Sequence, residues 1–452
     1  MEPGMRNGKR TYYSIMMAVL LMLVVVPAAA TAAETLGKRI VLENGMVLLL
    51  AEKHAIPMVT MNMAISAGSM VEPADKPGLA SITASLLMQG TAKRTANQIS
   101  AEIDFVGGSL SVSGGDDFAS AGLRVLKKDL RTGLDLLSDV LLNPLFDQKE
   151  IDRKVKETLA EIQRQKEEPG SVAGEAFVEA VFGDHPYGKT NDEVAAYLPK
   201  LTRKEIVDFH SSRYNPNNTI IAVVGDVSEK EIRYLLEEYF KSWKKKEPQQ
   251  QSIAQPPVRE KTAVQKIDKS ITQANIEMGH LGISRENPDY YAVMIMNYIL
   301  GGGGFTSRLM DNIRDNKGLA YDVHSSFSAR KEPGAFTVSI QTKNESANEV
   351  IDETLRDIRR IQGELVSEKE LADAKAYLTG SFPLKMDTYA KIANILTSVE
   401  IYGLGLDYPQ KYPGLINSVT REDIQRVAKK YLHPDRMVIV VVADQNKAKL
   451  KY

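Results

Sequence analysis

The sequence predicts an α+β fold built from two homologous lobes, each a mainly antiparallel sheet covered by helices on one face. Three observations predict it. The first is an internal duplication. Lys200-Leu201-Thr202-Arg203-Lys204-Glu205-Ile206, Tyr214-Asn215-Pro216 and Ile220-Ile221-Ala222-Val223-Val224-Gly225-Asp226 follow one another in the first half. Ser418-Val419-Thr420-Arg421-Glu422-Asp423-Ile424, Leu432-His433-Pro434 and Val438-Ile439-Val440-Val441-Val442-Ala443-Asp444 repeat that order, Thr420 standing 218 residues after Thr202. The second is that strand-like runs come early in each half and helical spacing later, the arrangement of helices segregated on a sheet. The third is a polar, glutamine- and proline-rich stretch at 244–260 between the halves, which cannot build a core and reads as a tether between separable lobes.

Taken in order, residues 39–52 carry two β-rich runs around Asn44-Gly45, a hairpin signal, and 58–67 is a further strand. Residues 77–87 and 96–106 read as helices, 108–113 and 117–126 alternate as strands, and 130–142 and 148–166 have helical apolar spacing. The copied unit is a helix capped by Thr202 or Thr420, a proline turn, and a β-branched run suited to a buried strand. The second half repeats the order with a strand at 273–279 and a helix at 290–300. Gly301 to Gly304 lack the lysine and Ser/Thr of a phosphate loop and read as a turn that sets the following helix.

Composition excludes several function classes. With 57 basic and 58 acidic residues interspersed, a formal charge of −1 gives no reason to expect nucleic acid. There is no cysteine, which removes disulfides, thiolate metal sites and cysteine catalysis together. Arg6, Lys9 and Arg10 precede an apolar run from Ile15 to Pro27 and the small residues Ala28 to Ala33, the order of an export signal. That run is shorter than the roughly 20 residues a span needs, so a cleaved signal is expected over a retained anchor. The expected organisation is a signal peptide at 1–33, a first lobe at 34–243, a linker at 244–260 and a second lobe at 261–452. The mature chain is expected outside the cytoplasm, periplasmic or otherwise extracytoplasmic, and free of membrane.

Leu42-Glu43-Asn44-Gly45-Met46, Gly68-Ser69, Pro77-Gly78-Leu79-Ala80, Gln89-Gly90-Thr91, His185-Pro186-Tyr187-Gly188, Tyr214-Asn215-Pro216-Asn217-Asn218, Gly301-Gly302 and Ser307-Arg308-Leu309 occur in this order. Together with the duplication, they make the chain resemble the pitrilysin family of zinc metallopeptidases, which includes insulinase and the mitochondrial processing peptidases. The resemblance covers essentially everything after the signal segment. In that family H-x-x-E-H supplies two zinc ligands and the glutamate that activates water. Ser81, Ala84 and Ser85 stand at those positions here, with neither imidazole nor carboxylate. The distal glutamate ligand falls on Glu161, which is retained, but the glutamate that usually precedes it by seven residues is Lys154. The six histidines, His54, His185, His210, His280, His324 and His433, include no pair at i,i+3 or i,i+4 from which a site could be rebuilt.

The second half keeps Arg314 and Tyr321, seven residues apart. From the residues alone they read as a helix-end cation and a core aromatic. The resemblance implies instead that they face the metal across a chamber and hold the substrate backbone and the developing oxyanion. Some family members pair a zinc-bearing chain with a zinc-free chain that supplies these two groups. The resemblance therefore implies a zinc-free subunit acting on peptide substrates, with zinc carried by a pitrilysin-like partner that has an intact H-x-x-E-H. A peptide-binding or scaffold role without catalysis is the alternative.

Overall fold

The computed structural model describes residues 35–247 and 253–452. The segment read as an export signal lies outside them. In the first lobe, β1 (Lys38–Val41) and β2 (Val47–Glu52) form the expected hairpin, Val41 opposite Val47, with the Asn44 side chain accepting from Met46 N–H at 3.2 Å. With β3 (Met58–Ile65), β4 (Ser109–Ser113), β5 (Ala119–Leu126) and β6 (Thr219–Gly225) they make a six-stranded sheet in the order β1-β2-β6-β3-β5-β4. The second lobe has β7 (Ala263–Asp268), β8 (Gln273–Leu281), β9 (Ala320–Phe327), β10 (Ala335–Lys343) and β11 (Val438–Ala443), in the order β7-β11-β8-β10-β9.

The duplication is visible in these orders. Without β1, the first sheet runs 2-6-3-5-4 and the second 7-11-8-10-9, each with one parallel pair, β2 with β6 and β7 with β11. The copied helices Arg203–Arg213 and Arg421–Tyr431 are both closed by capping boxes, Thr202 with Glu205 and Thr420 with Asp423. Such caps satisfy amide donors that the first helical turn leaves unpaired.

Side-chain alternation explains why β6 and β11 are continuously apolar. On β2 and β6, Leu48, Leu50, Ile221 and Val223 face the main helical layer of the first lobe, where Leu134, Leu137 and Leu141 of helix Leu130–Leu142 complete the core. Leu49, Ala51, Ala222 and Val224 point the other way and are covered by Ile392, Ala393 and Leu396. Those three lie on helix Tyr389–Ile401, which belongs to the second half of the chain. The second lobe mirrors this. Ile439 and Val441 face its own helices, while Val438, Val440 and Val442 pack against Ala173, Ala176, Phe177 and Val181 of helix Pro169–Phe182 from the first half. A Cβ at Gly279 of β8 would lie 3.0 Å from Phe177 Cζ and 1.9 Å from Phe336 O, so glycine is what lets this helix sit down.

Each half thus lends one helix to the other's sheet, and the second face of each sheet is covered by a borrowed helix as well as the first by its own. The tether expected at 244–260 is a small part of what joins the lobes. Arg39 pairs with Glu400 at 2.8 Å, Asn62 donates to Asn394 at 2.6 Å, and Lys269 Nζ donates to the carbonyls of Lys166 and Glu167 at 2.7 and 3.0 Å. Among the described residues no helix is long and apolar enough to cross a membrane.

Candidate active site

In the first lobe the helix expected over 77–87 runs Leu79–Leu86. Its start is fixed by Glu72, whose carboxylate oxygens accept from Gly78 N–H at 3.0 Å and Ala80 N–H at 2.9 Å, while burial pushes this acid up to about 7. Ser81 is exposed, the Ala84 methyl is fully buried, and Ser85 is half-buried with its hydroxyl donating to Ile82 O at 2.8 Å. Helix Gln148–Glu167 packs on this helix and carries Glu161. Glu161 accepts from Arg164 at 2.7 and 3.0 Å and from Gln165 at 3.0 Å, and these bonds hold its carboxyl down at about 2. Lys154 is paired with Glu157 at 3.1 Å.

These residues do not fit a zinc ion. A catalytic site needs three protein donors with an open fourth position. Here one position is a buried methyl, one hydroxyl is spent on its own helix, and the one carboxylate is held by an arginine on its own helix. Among the described residues no group of three or more His, Asp or Glu side chains is placed to hold a metal. The histidines have other employment. His185 accepts from Tyr187 N–H at 3.1 Å, His54 lies 2.6 Å from Asp226, His324 lies 2.9 Å from Asp322, and His210 contacts Leu141 O at 2.9 Å.

The second lobe builds its site differently. Helix Tyr290–Asn297 widens into a π-helical turn, Tyr298–Gly302, a one-turn turn Gly304–Thr306 follows, and a second π segment, Met310–Asn316, carries Arg314 toward β9. Widened turns of this kind recur at functional sites. Gly301 is required because a Cβ there would lie 2.7 Å from Ser325 N on β9. The second π segment is pinned on one side. Ile313 and Met310 enter the core, and Asn312 Nδ2 donates to Glu353 and Asp357 at 3.1 and 2.9 Å. Arg308 is clamped by Glu370 at 2.7 and 3.1 Å.

Arg314 is left half-buried and, among the described residues, makes no ion pair. Its guanidinium carbon lies 4.7 Å from the Phe305 ring and 5.5 Å from the Tyr321 ring. Tyr321 is 75% exposed and Phe305 69% exposed. The structure therefore brings the two expected residues together as neighbours on the surface, and Tyr321 is not a core aromatic. An uncommitted guanidinium beside an exposed phenol is a donor set for a carbonyl or carboxylate oxygen. Phe305 was not anticipated; its only signal in the sequence is a large aromatic directly after four glycines. Among the described residues, no hydrogen bond, ion pair or ring contact joins Arg314 or Tyr321 to Ser81, Ala84, Ser85 or Glu161.

Two lobes of like strand order exchange helices, with the expected site residues on helices and on β9. Residues 47–191 match the family described as Insulinase (Peptidase family M16), and residues 200–378 match Peptidase M16 inactive domain. An uncharacterized zinc protease of Streptomyces coelicolor is 26% identical over 421 residues, covering 91% of each chain. Another from Mycobacterium leprae is 28% identical over 411 residues, covering 87% of this chain and 89% of the relative. A crystal structure of a peptidase M16 inactive domain from Pseudomonas fluorescens superposes with a TM-score of 0.84 at 29% identity, covering 90% of this chain and 98% of that one. A protease from Helicobacter pylori shares the fold, with a TM-score of 0.83 at 19% identity. The chain belongs to the pitrilysin/insulinase family, peptidase family M16.

Proposed function

We propose that this chain is an exported, zinc-free subunit of a heteromeric pitrilysin-like peptidase. Zinc is carried by a partner subunit with an intact H-x-x-E-H, and this chain contributes Arg314 and Tyr321. The observation that carries the reading is the state of that pair: a guanidinium that makes no ion pair among the described residues, beside a phenol that is 75% exposed. Donors held ready in this way suit the backbone of an extended peptide and the oxygen on which charge builds as its carbonyl is attacked. The chemistry of the first lobe supports the division of labour, because Ser81, Ala84 and Ser85 offer no metal donor comparable to imidazole or carboxylate.

The test is reconstitution of the purified chain with a similar-length M16 chain that has H-x-x-E-H, followed by assay of peptide turnover. Arg314→Ala and Tyr321→Phe are expected to slow turnover by about 10²–10³ each, the usual cost of losing one oxyanion donor. Unchanged turnover in both variants would leave the chain as a peptide-binding or scaffold protein. Stoichiometric zinc and peptide hydrolysis by the isolated chain would overturn the proposal altogether.

A further inference from the structure

A second candidate site lies in the second lobe, where the end of the linker meets the borrowed helix. A pocket of about 180 Å³ has Val181, Leu281 and Val438 among its apolar walls. Pro257, Arg259 and Arg436 form part of its rim, and among the described residues no carboxylate lines it. The size is below the ~300 Å³ at which drug-sized sites begin, so it suits one small molecule.

Its charge comes from the two arginines. Arg259 donates to Ala180 O near the end of helix Pro169–Phe182, which fixes the guanidinium at the rim. Arg436 is exposed and, among the described residues, its side chain makes no ion pair or hydrogen bond. Of the two histidines in the wall, His280 adds structure, not charge. His280 Nε2 accepts from His433 N–H at 3.1 Å, and His280 Nδ1 donates to Leu281 O at 2.9 Å, so both nitrogens are occupied and the ring is the neutral tautomer. This also removes His280 and His433 as a metal-binding pair, although their rings are 5.0 Å apart.

An apolar pocket crowned by guanidinium groups that, among the described residues, make no ion pair is complementary to a molecule with an anionic head and a short hydrocarbon body. Guanidinium binds carboxylate through paired, charge-assisted hydrogen bonds. We propose that this pocket binds a small monocarboxylate bearing an apolar group. Two sources share that chemistry: a short-chain acyl carboxylate, and the C-terminal residue of a peptide.

The test is calorimetric titration of the full mature chain with octanoate, N-acetyl-leucine and octanamide. At least one of the two carboxylates is expected to bind at one site, and octanamide, with the same chain but no charge, to bind at least about tenfold more weakly. Arg436→Gln, an exposed change that leaves the fold intact, should weaken binding about tenfold or more, and Arg259→Gln should do the same. Binding of octanoate alone identifies an acyl chain as the ligand, and binding of N-acetyl-leucine alone identifies a peptide terminus. Equal affinity for octanamide, an unchanged affinity in Arg436→Gln, or no binding of either carboxylate at millimolar concentration overturns the proposal.

Discussion

The two lobes share a strand order, yet their site regions are in opposite electrostatic states. In the first lobe three polar side chains around the positions of Ser81, Ala84 and Ser85 are satisfied locally: Ser85 by Ile82 O, Glu161 by Arg164 and Gln165, Lys154 by Glu157. In the second lobe, Asn312 and Arg308 are tied down on either side while Arg314 faces two exposed aromatic rings and, among the described residues, makes no ion pair. A surface whose hydrogen bonds are internally closed has little left to offer a ligand. A preorganised donor without a partner is the more informative feature, because leaving it unpaired forgoes an interaction that folding could have made.

That contrast breaks first at the largest expected effect. In the reconstituted assembly, Arg314→Ala should lower peptide turnover by about 10²–10³, whereas Ser81→Ala and Ser85→Ala should leave it unchanged. A comparable loss from the serines would erase the difference between the lobes. The helix exchange should be alike on both sides. Phe177→Ala in one borrowed helix and Leu396→Ala in the other should cost about 3–5 and 2–5 kcal/mol respectively in denaturant unfolding, since both side chains are buried against the other half's sheet. Loss in only one of them would show that one lobe depends on the exchange more than the other.

Ala84 sharpens the comparison at the altered motif. Its methyl is fully buried, so Ala84→Glu should lower unfolding stability by about 1–3 kcal/mol through overpacking and burial of a carboxyl. A neutral result would mean that room for the catalytic glutamate has been kept. One acid in each lobe, by contrast, behaves alike. Burial pushes both Glu72 and Glu277 up from 4.5 to about 7, so each favours the fold while protonated. Their contribution is full below 4.5 and is lost as pH rises through about 7, so Glu72→Gln and Glu277→Gln should each reduce the fall in melting temperature across that window. The smallest effect is expected at Glu161, whose exposed pair with Arg164 should be removable by Glu161→Gln with no measurable change in melting temperature or turnover.

Much of this was legible in the residues. The hairpin at 39–52, the alternating strands and the capped helices after Thr202 and Thr420 follow from local periodicity and capping, which act over a few residues. The helix from 79 begins two residues later than its apolar spacing suggests, because Glu72 caps at Gly78 and Ala80 from outside the helix. The helix predicted over 290–300 changes to a π turn after Asn297, where Gly301 must clear Ser325 on β9. Arg314 and Tyr321 were singled out by family resemblance, and the structure places them side by side. That Tyr321 is exposed, and that Phe305 joins them, was not legible in the residues.

By itself, the sequence determined the duplication, the α+β character of each half, and the residue types at Ser81, Ala84, Ser85, Arg314 and Tyr321. These are properties of residue type, period and order. Tertiary structure alone decided that Pro169–Phe182 and Tyr389–Ile401 cross over to the other half's sheet, that Arg314 makes no ion pair among the described residues, and that Arg259 and Arg436 meet over an apolar pocket. Periodicity reports that β6 and β11 are apolar on both faces but not which helix will cover each face, because that depends on contacts between residues more than a hundred positions apart.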